Sequence, residues 1–161
     1  MTLDDIRPTS TARYHDDPLD VDLVEQILAA RFPAGYREFI ARFGAGVLAG
    51  CLRIYAPRQA LRASSDFQEP DRRPGARRFW QQGGAILTTV HGSQTIVLAR
   101  TLAGSELVFE RPSPNRIYAL PGNQDLIYLA GDGFLPALQW ALTSGVLIEP
   151  GRELLFEPRD A

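Results

Sequence analysis

"FPAGYREFIARFGAGVLAG", residues 32–50, is the stretch on which the fold turns. Tyr36, Phe39, Ile40 and Phe43 stand at i, i+3, i+4 and i+7, the spacing that gathers bulky apolar groups on one side of a helix. Pro33 suits a first turn, where its missing N–H would have no partner in any case. Glu38 and Arg42 are four apart in the favourable order, which predicts an ion pair on the outer face. Gly44 stands where a left-handed residue closes a helix. The Gly44-Ala45-Gly46 run that follows has two readings: a loop that cradles a ligand, or the corner that places the first strand.

The cradle reading needs company that the chain does not supply. A phosphate loop of the P-loop type requires a lysine after its last glycine, and a dinucleotide loop requires GxGxxG between a strand and a helix. Neither occurs, and lysine is absent from all 161 residues. "GDG" at 131–133 lacks the spaced oxygen ligands of a calcium loop. Ser93 and Ser105 each follow a glycine directly, so neither sits in the G-x-S-x-G of a nucleophile elbow. His15 and His91 have no carboxylate or cysteine at metal-ligand spacing. The expectation is therefore no catalytic residue, no metal and no cofactor.

Working outward, Val24, Ile27 and Leu28, with Leu23, fall at helical spacing and predict a first helix from Asp20 to before Phe32, its inner face made of these residues. Asp20 or Asp22 is available as its cap. Ahead of it residues 1–18, polar, acidic and broken by Pro8 and Pro18, read as a mobile arm, which leaves 19–161 as one domain. Downstream, "CLRIYAP" alternates as a short strand that Pro57 stops, and "PRQALRASS" predicts one or two helical turns. "GAILTTVHGSQTIVLART" reads as a hairpin turning at Gly92-Ser93, and "ELVFER" and "NRIYAL" as two more strands. "GFLPALQWALTSG" is a last helix ended by Gly145, with Asp132 as a possible cap, and the tail adds a short strand or hairpin. The order predicts an α+β domain, a mainly antiparallel or mixed sheet flanked by helices.

Charge is uneven. Residues 1–25 hold seven acids against two arginines, 26–116 hold thirteen arginines against six acids, and 117–161 hold two against six. Two patches stand out as partner-binding candidates: Asp16, Asp17, Asp20 and Asp22 at one end, and Arg72, Arg73, Arg77, Arg78 and Trp80 in the middle, beside Phe79, since arginine and tryptophan are common interface anchors. No nucleic-acid motif accompanies the arginines, so no direct nucleic-acid binding is expected. No apolar run approaches the ~18 residues of a membrane span. "MTLDDIRPTS" has neither the basic start nor the apolar stretch of a secretory signal, and the expected compartment is the cytoplasm. Cys51, the only cysteine, reads as a small buried thiol.

Phe32-Pro33 followed by Tyr36, Phe39 and Ile40, then a glycine break at Gly44 and Gly46, a strand "LRIYAP", a middle sheet and a C-terminal helix, resembles the SMI1/KNR4 (SUKH) family. Phe32 stands where that family's pattern usually has leucine, and the common aspartate-glycine signature is missing from the middle section. The resemblance implies a sheet flanked by helices with no catalytic residues to carry over. It also implies an immunity protein that binds and neutralises a cognate toxin protein, such as a nuclease or deaminase domain of a polymorphic or contact-dependent system. The alternatives are a regulatory or scaffolding module of the same fold and a small-ligand-binding protein.

Overall fold

The computed structural model describes residues 1–15, 17–68, 94–123 and 126–159. Their strands are β1 (Arg7–Pro8), β2 (Gly46–Leu48), β3 (Leu52–Ile54), β4 (Thr95–Thr101), β5 (Glu106–Glu110), β6 (Ser113–Leu120), β7 (Tyr128–Asp132) and β8 (Leu155–Pro158). They form one sheet in the order β1-β8-β2-β3-β4-β5-β6-β7, antiparallel except for the parallel β1–β8 pair. Among the described residues four α-helices accompany it: α1 (Pro18–Leu28), α2 (Tyr36–Phe43), α3 (Pro57–Gln68) and α4 (Phe134–Thr143). The expected α+β architecture, a mixed sheet flanked by helices, is the one observed.

The aromatic stripe of α2 makes the centre of the core. Phe39 packs edge-on against Phe134 of α4 and Phe156 of β8, with ring centroids 5.3 and 5.5 Å apart, and Tyr36 stacks on Phe32 at 4.3 Å. Edge and offset geometries of this kind suit the ring quadrupoles and add to the gain from burial. Tyr36 also donates a hydrogen bond to the Tyr55 carbonyl at 2.7 Å, which ties the helix to the end of β3. Glu38 does not hold Arg42 as its spacing predicts; Arg42 reaches back to Asp4 at 2.7 Å, because the N-terminal turn lies within its range.

The glycine run is a corner. Gly44 closes α2 through its N–H to the Ile40 carbonyl at 2.8 Å and has φ +70°. Gly46 then starts β2 under β8, so close that a Cβ would collide with the Glu157 carbonyl and lie 2.6 Å from Phe156 Cζ. β2, which the sequence reading absorbed into the break, pairs with β3 through a tight turn in which Ala49 and Gly50 both take positive φ.

The described part of residues 1–18 differs from the expected arm. Ile6 is 2% exposed and belongs to the core, Arg7 and Thr9 donate backbone hydrogen bonds to the Leu154 and Phe156 carbonyls, and the Tyr14 carbonyl accepts from Ala45 N–H at 2.7 Å. A single buried isoleucine and a short parallel pairing are too local to show as periodicity. Gly44 supplies the room, since a Cβ there would meet the Tyr14 backbone.

α3 is longer than its composition suggests, twelve residues opened by Pro57. It lies beside the half of β4 that β3 is too short to reach. Gly145 follows α4 as expected, at φ +75°, but Asp132 ends β7 and the cap position of α4 is Gly133. The Gly92-Ser93 hairpin lies outside the described residues.

Candidate functional site

α1 is the element whose exposed face calls for explanation. Asp17 caps it, accepting the Leu19 N–H at 2.9 Å, so the cap falls three residues before the first one anticipated. The helix carries six large apolar residues in eleven positions, more than one buried stripe can use. Val21, Val24 and Leu28 face the core. Leu19, Leu23 and Ile27, at i, i+4 and i+8, form a second stripe facing out, 72%, 42% and 57% exposed. The sequence reading placed Leu23 and Ile27 inside; the excess of apolar residues over one helical stripe was the signal that separates the two faces.

At 100° per residue, Asp20 flanks the outer stripe on one side, and Asp22 and Gln26 flank it on the other. Asp20 bonds Arg58 of α3 at 2.8 Å, and Asp22 bonds Arg37 of α2 at 2.6 Å. Glu25, with its side chain 10% exposed, accepts from Arg31, Arg37 and the Phe32 N–H. These carboxylates orient α1 on its neighbours, and their charge is matched by arginine. Of the acidic candidates, Asp17, Asp20 and Asp22 share α1, Asp16 lies outside the described residues, and the face they rim is more apolar than acidic. Arg72, Arg73, Arg77, Arg78 and Trp80 also lie outside the described residues.

Beside the C-terminal half of α1 is an open cleft of about 660 Å³, walled by Asp22, Glu25, Gln26, Ala29, Ala30 and Arg31 and, opposite, by Arg111 of the β5–β6 turn and Pro114 of β6. Arg111 Nε is buried there without a hydrogen-bond partner. The size lies within the range of ligand pockets, but such pockets are mostly apolar with few polar groups, and half of the residues walling this one are charged.

Among the described residues no three His, Cys, Asp or Glu side chains gather as a metal site would need, and no helix is long and apolar enough to cross a membrane. His15 is exposed; His91 lies outside the described residues. Burial pushes the Cys51 thiol up, away from the thiolate that a nucleophile needs. Comparison of the chain with protein-family models, with curated proteins and with solved structures finds no match.

Proposed function

We propose that the chain is a non-enzymatic protein-binding module of SMI1/KNR4-like type, an immunity protein that binds a cognate toxin domain through the outer face of α1 and thereby neutralises it. The observation that carries the reading is the Leu19, Leu23 and Ile27 stripe, large side chains in water on a helix already anchored by its other face. A monomer gains nothing from such a stripe, whereas contiguous exposed apolar surface rimmed by polar groups is the usual mark of a partner site.

The test is a tagged pull-down from the organism that makes the protein, run in parallel with the Leu23→Asp variant, followed by an activity assay of whatever toxin domain is recovered. Suppression of that toxin at a one-to-one ratio, lost with Leu23→Asp, supports the reading. Recovery of housekeeping proteins alone moves it to a regulatory or scaffolding module. Neutralisation that Leu23→Asp leaves intact removes α1 from the interface.

A further inference from the structure

The face of the sheet turned away from α2 carries a charge arrangement that the fold does not need. In β3, Leu52 and Ile54 are fully buried against the core, so Arg53 between them projects to the other side. Register places Glu157, Val47, Arg53, Arg100 and Glu106 in one row across β8, β2, β3, β4 and β5. Two arginines are thus directly opposed, where side chains start about 4.5–5.5 Å apart and like charges destabilise the pairing.

Only one of the two is answered within the row. Arg100 Nε and Nη2 both donate to Glu106 Oε1, at 2.9 and 2.5 Å, and the Glu106 side chain is 6% exposed. Glu157, at the far end, is bonded by Arg159 at 2.8 Å. Arg53 lies over the Tyr55 ring, its guanidinium carbon 5.7 Å from the centroid, and has no carboxylate partner among the described residues. At that distance the guanidinium gains cation–π attraction from the ring, and its N–H fork remains able to meet an oxyanion with two parallel hydrogen bonds.

We infer that Arg53, lying over the Tyr55 ring and set opposite Arg100, is an oxyanion-binding site for a carboxylate or phosphate group that supplies the second counter-charge of this row. The site lies on the sheet, apart from α1, and does not depend on the toxin-binding reading.

The free protein tests it. Arginine side-chain N–H resonances are followed by NMR while inorganic phosphate, and in a parallel series citrate, is added. A saturable movement of the Arg53 and Arg100 signals is expected. Arg53→Gln should weaken it about tenfold, as loss of a charge-assisted hydrogen bond implies, and Arg62→Gln, on exposed α3 surface, should leave it unchanged. The tighter of the two anions identifies the group. Equal affinity in Arg53→Gln, or non-saturating shifts spread over Arg7, Arg62 and Arg152, overturns the site. Should Arg53→Gln fail to fold, Arg53→Lys keeps the charge and loses the fork; undiminished binding by that variant overturns the site equally.

Discussion

Ser64 Oγ on α3 accepts a hydrogen bond from the Val97 backbone N–H of β4 at 3.0 Å and donates its own proton to the Ala60 carbonyl at 2.6 Å. β3 stops at Ile54, and the β4–β5 register slips between Val97 and Ala99, so the Val97 N–H needs an acceptor that no neighbouring strand among the described residues provides. A helix occupies the place of a strand, and one hydroxyl completes the ladder.

Ser64→Ala should therefore cost about 1–3 kcal/mol, the penalty of a buried amide left without its acceptor. Urea unfolding measures it. The neighbouring Ser65→Ala, exposed and bonded only to the Leu61 carbonyl, should change stability by less than about 0.5 kcal/mol, and equal losses at the two positions would contradict the role given to Ser64.

Gly46→Ala should be far more damaging than Gly50→Ala. At Gly46 the added methyl meets the β8 backbone and the Phe156 ring, so a cost of about 3 kcal/mol or more is expected from overpacking a core that has no slack. At Gly50 nothing lies within 4 Å and only the positive φ of +67° is penalised, by about 1 kcal/mol. The two melting midpoints, measured side by side, decide whether close approach or backbone conformation governs this corner.

Tyr36 gives the fold a sensitivity to alkali. It is fully buried, and burial raises its pKa well above the ordinary tyrosine value. A folded-state pKa above the unfolded one means a stability contribution that is complete below the unfolded pKa of about 10 and is lost as pH rises beyond it. Tyr36→Phe should lose about 1 kcal/mol at neutral pH with its hydrogen bond to Tyr55, and should show a shallower decline above pH ~10. Parallel declines for the two proteins in alkali would exclude Tyr36 as the titrating group.

Leu23→Asp should leave the unfolding free energy within about 0.5 kcal/mol of the parent, because the side chain packs outward. Val24→Asp, one position on and 1% exposed, should unfold the protein by placing a charge in the core. Circular dichroism melts of the pair check which face of α1 is which. A large destabilisation by Leu23→Asp would mean that its exposed stripe is structural.

What the amino-acid order determined is local. The 3.6-residue spacing of Tyr36, Phe39, Ile40 and Phe43 made α2 and its buried face legible, the β-rich runs "TIVLART" and "ELVFE" marked β4 and β5, and glycine punctuation marked both helix ends, because each of these signals lies within one or two turns of chain. Tertiary structure decided the rest. Ile6 enters the core and β1 joins β8 through partners some 150 residues away, Arg42 chooses Asp4 over Glu38, and Ser64 completes β4 across a gap that exists only once β3 has ended. The candidate surfaces divide in the same way. Asp17, Asp20 and Asp22 were visible as an acidic group, and the Asp17 cap is local, but the pairing of Asp20 with Arg58 and of Asp22 with Arg37 depends on α3 and α2 packing beside α1. The excess of apolar residues in α1 was a local sign of a second stripe, but which of its faces turns outward, like the opposition of Arg53 to Arg100, depends on helix rotation and strand register, which long-range packing sets.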